Sequence, residues 1–228
     1  GSATDLDDAG VEDLVLNFLD TSFRFYADGT VNDIGTQIAG KSSAVAPDAQ
    51  ALTLRAVRTN TDTGSCEAAL QGTTNVNIAY KCNSPTTCSN NNLLDFTGAE
   101  TLTITGDDNA VADNNLSYTG VEMTFDANGE APFSLNFADA GQIQLYAQAS
   151  VAANSPEPAF ELAGSSNSFW ARPDKFTITA QSGGADLNGA TSSASPTHEA
   201  GADFDLIITA VNASGDITEN YFPGQNQF

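Results

Sequence analysis

The sequence has few basic residues. Seven Lys and Arg stand against 29 Asp and Glu, so the formal net charge is -22 and the sequence pI is ≈ 4.1. A surface of this sign repels phosphate backbones and anionic lipids, which argues against nucleic-acid binding and electrostatic docking on membranes. Apart from the run Asp5 to Asp8, the acids occur singly in turn-like segments. This distribution is typical of a solvated, soluble surface.

Long apolar runs and histidines are also scarce. No stretch approaches the ~20 consecutive apolar residues that a membrane span requires, so we predict no span in this chain. The single histidine, His198, lies in a loop rich in Ser, Ala and Pro, without a nucleophile-elbow pattern around it. No pair of carboxylates is singled out for acid–base chemistry. We therefore predict a non-enzymatic protein without catalytic residues, in which His198 is an exposed loop residue.

The three cysteines, Cys66, Cys82 and Cys88, lie close together in the sequence. Three thiols allow three single disulfides, and their spacing does not choose among them. We predict the pair Cys82 and Cys88, which closes a short loop, and Cys66 is the alternative partner of either. Zinc is disfavoured because the cysteines lack paired spacing and His198 is far away in the sequence. A disulfide indicates an oxidising compartment such as the periplasm or the cell surface.

Strand-like alternation dominates the chain and is clearest from Gly120 to Val151. Apolar side chains recur at every second position in three runs, for example around Met123 and Leu135, which is the pattern of half-buried strands. Asn128-Gly129 and Ala138 to Gly141 mark the turns between the runs. We therefore predict a β-meander at the centre of an all-β protein with an immunoglobulin-like antiparallel β-sandwich.

The sandwich is expected over residues 12–152. Its first strand is predicted at Leu14 to Phe18, and a short helix within Ala3 to Asp20 is the alternative, because the same apolar residues also lie on one helical stripe.

The composition of residues 153–166 differs from that of the strand-like segments, since it includes two prolines and many small residues. This composition predicts a linker. Residues 167–228 predict a second β unit that begins at Phe169-Trp170, a pair that we expect to plug its core. This unit is too short for the seven strands of a full sandwich. Either the second sandwich is incomplete, or its last strands join the first sheet.

Oxygen donors cluster in the loop from Gly106 to Asn115. Carboxylate and amide oxygens are the ligands that Ca²⁺ prefers, so Asp107, Asp108 and Asp113 are the candidate metal ligands. The spacing does not match the EF-hand pattern, and a solvated turn explains the composition better. We therefore expect no cofactor, with Ca²⁺ as the alternative.

Nine short motifs occur in a characteristic order along the chain. They are Phe23-Arg-Phe-Tyr26, Thr36-Gln-Ile-Ala-Gly-Lys41, Leu52-Thr-Leu-Arg-Ala-Val-Arg58, Thr63-Gly-Ser-Cys66, Ala79-Tyr-Lys-Cys82, Pro85-Thr-Thr-Cys88, Thr124 to Phe133, Ala138-Asp-Ala-Gly141 and Phe169-Trp-Ala-Arg-Pro173. Together they resemble the C-terminal region of MshQ-like proteins, the large accessory proteins encoded with the mannose-sensitive haemagglutinin (MSHA) type IV pilus. That region is a domain of unknown function, and the resemblance covers most of the chain, from about Leu14 to its end.

The resemblance implies a secreted, extracellular or cell-surface protein associated with a pilus and without enzymatic activity. It implies a structural spacer or assembly module of a type IV pilus adhesin, with a type IV pilin or minor pilins as partners. An adhesin domain that binds a surface glycan or another surface ligand, with Ca²⁺ in its loop, is the alternative. The resemblance supports a structural role for Cys66, Cys82 and Cys88 and leaves their pairing open. It identifies no ligand-binding residues.

Overall fold

The computed structural model describes residues 21–60, 65–88, 93–153, 159–187, 195 and 198–221, and these are almost entirely β. Two seven-stranded sheets face each other, and a three-stranded sheet follows them in the chain. The only helix of the described residues is a single 3₁₀ turn, Asp113–Asn115, and none is long and apolar enough to cross a membrane. The predicted strand at Leu14 to Phe18 and its helical alternative lie outside the described residues.

The first sheet has the strand order β2-β1-β4-β11-β7-β8, with β5 paired to β4. Its strands are β1 (Thr21–Ala27), β2 (Thr30–Val31), β4 (Leu52–Thr59), β5 (Cys66–Ala68), β7 (Leu93–Thr97), β8 (Thr101–Thr105) and β11 (Glu130–Phe137). All of its pairings are antiparallel.

The second sheet has the order β10-β6-β12-β14-β3, with β13 paired to β12 and β9 paired to β6. Its strands are β3 (Gln37–Ile38), β6 (Gly72–Ser84), β9 (Asp107–Asp108), β10 (Thr119–Phe125), β12 (Gly141–Val151), β13 (Phe160–Ser165) and β14 (Phe169–Arg172). Only the two-residue contacts of β3 with β14 and of β9 with β6 are parallel. The predicted all-β, antiparallel sandwich is confirmed.

One hydrophobic cluster fills the space between the two sheets. In this cluster the ring of Phe133 of β11 stacks on Phe96 with the centroids 4.8 Å apart and meets the ring of Phe25 edge-on at 5.9 Å. From the second sheet, Tyr80 of β6 meets Phe137 edge-on at 5.9 Å. Every second residue is buried along β11 and along most of β12, as the alternation in the sequence predicts.

The two sheets approach each other most closely where β1 faces β13. Thr21 donates a side-chain hydrogen bond to the carbonyl oxygen of Glu161 at 2.6 Å. A Cβ atom at Gly164 would overlap the carbonyl oxygen of Phe23, so only glycine allows this contact.

The predicted β-meander is wrong, although its three strands exist. β10 and β12 both pair with β6 in the second sheet, whereas β11 pairs with β4 and β7 in the first. The turn at Asn128-Gly129 therefore carries the chain across the sandwich and does not join two paired strands. The alternation of apolar and polar residues indicates that each strand has one buried face, but it does not indicate which sheet the strand joins.

The predicted boundaries of the first unit, 12–152, and of the linker, 153–166, need correction. β13 lies within the predicted linker and β14 lies beyond it, and both pair with β12 in the sandwich. Phe169 is buried in the core of the first sandwich, and the neighbouring Trp170 is half-buried and lies outside that core. The first unit therefore extends through Arg172.

The second β unit begins at Lys175 and not at residue 167. Its sheet has the order β16-β15-β17 and consists of β15 (Lys175–Ser182), β16 (Ala185–Asp186) and β17 (Asp205–Val211). Among the described residues, no strand of this unit forms a second layer over it. Its last strand does not join the sheets of the first unit, which was the alternative.

Candidate functional site

The predicted disulfide joins Cys82 and Cys88, with their Cα atoms 5.4 Å apart. Cys82 lies near the end of β6 with its side chain in the core, and Cys88 follows the loop that leaves this strand. The alternative partner, Cys66, is a free and exposed thiol. The bridge therefore fixes the loop against the end of the sandwich at which the predicted metal ligands lie.

The three predicted metal ligands are directed to different partners. The carboxylate of Asp107, in β9, accepts hydrogen bonds from the backbone N–H of Ser117 at 2.7 Å and from its hydroxyl at 2.9 Å. Asp108 accepts the backbone N–H of Cys88 at 2.8 Å, so it caps the disulfide loop. Asp113 lies in the 3₁₀ turn and forms an ion pair with Lys81. The structure does not bring the three carboxylates together around a common point.

Lys81 is the cation of this end of the sandwich. Its side chain is 8% exposed, and its Nζ lies 2.5 Å from an Oδ of Asp113 and 5.4 Å from the ring centroid of Tyr146. Lys81 pairs with Asp107 across the parallel contact of β6 and β9. The ammonium group of Lys81 therefore already places a positive charge between the loop that carries Asp113 and the second sheet.

Two tyrosines beside this ion pair have raised pKa values. Partial burial, together with the charge of Asp113, raises the pKa of the Tyr118 hydroxyl and of the Tyr146 hydroxyl. Both phenols stay protonated at neutral pH, and Tyr118 donates to the carbonyl oxygen of Asp113 at 3.4 Å. The cluster is thus an ion pair with neutral aromatic neighbours, which suits a structural role.

A second polar cluster connects the two β units. We call it the joint, and it consists of Asn212, Ala213 and Asn220 of the second unit with Ala39 and Ala138 to Ala140 of the sandwich. Asn212, directly after β17, is 4% exposed, and its Nδ2 donates to the carbonyl oxygen of Ala138 at 3.0 Å. Its Oδ1 accepts the backbone N–H groups of Ser214 at 2.9 Å and Asp216 at 3.0 Å. The next residue, Ala213, donates its N–H to the carbonyl oxygen of Ala39 in the sandwich at 2.8 Å.

Asn220 and Asp139 form the other half of this joint. Asn220 donates its backbone N–H to the carboxylate of Asp139 at 3.3 Å and its Nδ2 to the carbonyl oxygen of Ala140 at 3.0 Å. Asp139 is 3% exposed, and burial raises its pKa to about 6, although hydrogen bonds from Ala140 and Asn220 act in the opposite direction. The charge of nearby Glu219 also raises this pKa, whereas a hydrogen bond from the Glu219 backbone lowers it.

A cleft of about 540 Å³ opens beside the joint and is lined by Asp139, Asn212, Asp216, Ile217 and Glu219, among others. The acidic residues of the cleft do not form a metal site, because within the described part of the chain no group of three or more His, Cys, Asp and Glu residues is placed to hold an ion.

His198 is half-buried; its Nε2 lies 3.0 Å from the carbonyl oxygen of Ala202, and its ring contacts Phe204. His198 therefore lies in a surface loop, as predicted.

Sequence reasoning missed Asn212, Asn220, Asp139 and Lys81. Asparagines and single aspartates in turns are common throughout this chain, so nothing in the sequence distinguishes the ones that the joint buries. The one available signal for Asp139 is its position in the turn between two strongly alternating strands, and that signal predicts only a turn.

Comparison with models of protein families matches residues 4–165 to the domain of unknown function DUF6701, first Ig-like domain. No curated protein and no solved structure matches the chain. The family description confirms the Ig-like character of the predicted sandwich. Because the matched residues make up most of the sequence, the chain belongs to the DUF6701 family, of which it contains the first Ig-like domain.

Proposed function

We propose that this chain is a non-enzymatic structural module of an extracellular, pilus-associated protein, and that it acts as a spacer or assembly module of a type IV pilus adhesin. The pilus context comes from the resemblance to MshQ-like proteins. The mechanical part of the proposal is carried by one observation, the buried hydrogen-bonded joint between the sandwich and the second β unit.

The joint supports a spacer because it fixes the second unit without a flexible connection. Only Pro173 and Asp174 separate β14 from β15, and Asp174 donates its N–H to the carbonyl oxygen of Val211 at 2.9 Å. Asn212 and Asn220 then bind two carbonyl groups of the loop that connects β11 with β12. Buried amide hydrogen bonds are directional, so the two units are held in one relative orientation.

The disulfide supports an extracellular location. A bridge between Cys82 and Cys88 persists in oxidising compartments and is rare where thiols are kept reduced. The acidic surface agrees with a partner that is not a polyanion.

The partner is tested by capture of purified major and minor pilins of the same system on the immobilised chain, with a glycan array probed in parallel. We expect saturable capture of a pilin and no signal on the array, with both results unchanged by a chelator. Failure to capture any pilin contradicts the proposed partner.

The geometry is tested separately by small-angle scattering of the wild type and of Asn212→Ala. A spacer predicts one compact conformation for the wild type and a broader distribution of distances for the variant. Identical broad distributions for both proteins would contradict the mechanical role even if a pilin binds.

The adhesin alternative predicts a glycan signal that a chelator abolishes. Among the described residues no contact favours it over the spacer, because Asp107, Asp108 and Asp113 already have protein partners.

A further inference from the structure

In the described part of the chain, the sheet of β15, β16 and β17 has one face that is apolar and largely uncovered. At one end of this face the ring of Phe176 packs on Tyr221, with the centroids 5.5 Å apart. Ile178 lies opposite Ile208, Ala180 opposite Leu206, and Phe176 opposite Ala210, and directly opposed residues of an antiparallel pair point to the same side. The four large side chains of this face, Phe176, Ile178, Leu206 and Ile208, are 50%, 61%, 58% and 59% exposed. We call this surface, with Ala180, the open face; Ala210 is only 6% exposed and lies at its covered end.

All charged side chains of the three strands fall on the other side. Asp186 and Asp205 both pair with Gln181, and Lys175 pairs with Val211, so all of them alternate away from Ala180 and Ile178. A chain with 29 Asp and Glu thus has a sheet face without a charge. A charged ligand finds no counter-charge here, whereas another uncharged apolar sheet can cover the face without burying a charge.

We propose that the open face binds the same face of a second copy of this chain. In a two-fold dimer each patch must complement itself. The open face can do so because the small Ala180, beside Ile178 and opposite Leu206, leaves room for a large side chain of the second copy. The two sheets would pack as the two layers of a sandwich, at the ~10 Å spacing of stacked sheets. This pairing supplies the layer that the second β unit lacks among the described residues, and it goes beyond the spacer role.

The area sets the expected strength. A half-exposed Phe, Leu or Ile side chain offers about 100 Å² of apolar surface, so the large residues and their surroundings bury on the order of 1,000 Å² in total. Specific interfaces bury about 1,200–2,000 Å², and weak ones lie below that range. We therefore expect a reversible dimer with a dissociation constant in the micromolar range. Because each copy carries a net charge of -22, screening by salt strengthens the association.

The test is analytical ultracentrifugation of the whole chain over a wide concentration range, at low and at high salt. We expect a monomer–dimer equilibrium that shifts toward the dimer as the salt concentration rises. Ile178→Lys places a charge at the centre of the open face and should leave only monomer at all concentrations. Thr177→Lys adds the same charge on the opposite side of β15 and should leave the dimer intact.

Two results would overturn the proposal. One is a wild type that stays monomeric at every concentration and salt, and the other is a dimer that Ile178→Lys does not weaken. If the wild type is monomeric and its capture of a pilin is lost in Ile178→Lys, the open face belongs to the pilin and not to a second copy. Pilin capture that persists in Ile178→Lys leaves the spacer proposal standing whatever the oligomeric state, so the two proposals fail separately.

Discussion

The side chain of Asn212 in the second β unit donates a hydrogen bond to the carbonyl oxygen of Ala138 in the sandwich, with 3.0 Å between Nδ2 and the oxygen. The same amide accepts two backbone N–H groups of its own turn, from Ser214 and Asp216. A Cβ at Gly40 would lie 2.8 Å from Cγ of Asn212, so the amide is also held tightly by the neighbouring loop. One side chain therefore shapes the turn after β17 and attaches it to the first domain.

Asn212→Ala should loosen this joint. The substitution leaves the carbonyl group of Ala138 and two N–H groups without their partner, at a cost of about 1–3 kcal/mol for groups that remain buried. We expect the second β unit to unfold at a lower temperature than the sandwich, so that calorimetry shows two transitions where the wild type shows one.

The matched control is Asn114→Ala, since Asn114 is exposed in the 3₁₀ turn. It should leave the unfolding profile of the wild type unchanged. A single unshifted transition in Asn212→Ala would show that the joint does not couple the two units.

Asp139 should make the stability of the joint depend on pH. Burial raises its pKa from 3.8 to about 6 in the folded chain, so the folded state binds a proton more tightly than the unfolded state. The resulting stabilisation is fully present below about pH 4 and is lost as the pH rises through 6. At 1.36 kcal/mol per pKa unit it amounts to about 3 kcal/mol.

Asp139→Asn isolates this effect, because the amide oxygen can still accept the N–H groups of Ala140 and Asn220 while the side chain no longer titrates. Denaturant unfolding of both proteins between pH 4 and pH 7 gives the measurement. The stability of the variant relative to the wild type should increase with pH over this range. A constant difference would mean that Asp139 titrates alike in the folded and unfolded chains, and the exposed Asp203→Asn serves as the control for loss of one charge.

Strand positions were predictable, whereas strand partners were not. The burial of alternate residues in β11 and β12 follows directly from the sequence pattern. Assigning β11 to the sheet opposite β10 and β12 depends on pairings with β4 and β7, whose sequence separation is long and leaves no local signal. The Asp126 to Gly129 turn is locally ordinary, since the Asp126 carboxylate accepts the N–H groups of Asn128 and Glu130.

The polar sites were less predictable than the fold. The disulfide pair was predicted correctly, although the sequence left Cys66 open as an alternative partner. Lys81 was not identified because lysine is rarely buried and its partner Asp113 lies 32 residues away in sequence. Asp107 and Asp108 were predicted as candidate metal ligands, and in the structure their carboxylates bind Ser117 and Cys88. In the sequence, an aspartate that caps a loop cannot be distinguished from one that binds a metal, because both occur in loops rich in oxygen donors.

The disulfide should contribute about 2 kcal/mol to stability. It closes a loop with a sequence separation of 6, and the chain-entropy relation for a loop of this size gives roughly that value. The double variant Cys82→Ala, Cys88→Ala should therefore unfold at a lower denaturant concentration than the wild type. Cys66→Ser, which alters only the exposed free thiol, should not. A thiol titration of the native protein should find one reactive group, and finding three would contradict the assigned bridge.

The ion pair of Lys81 with Asp113 should respond unequally to the loss of its two members. Lys81 is almost fully buried, whereas the side chain of Asp113 is 67% exposed. Asp113→Ala leaves a charged ammonium buried beside Tyr146, which destabilises the fold because a desolvated charge loses its compensation. Lys81→Met removes that charge, fills similar space and leaves Asp113 solvated. Chemical denaturation of both variants should therefore show the larger loss for Asp113→Ala, by about 1 kcal/mol or more. A larger loss for Lys81→Met would show that the ammonium group itself is the main stabilising element, acting through Tyr146 and Asp107 more than through Asp113.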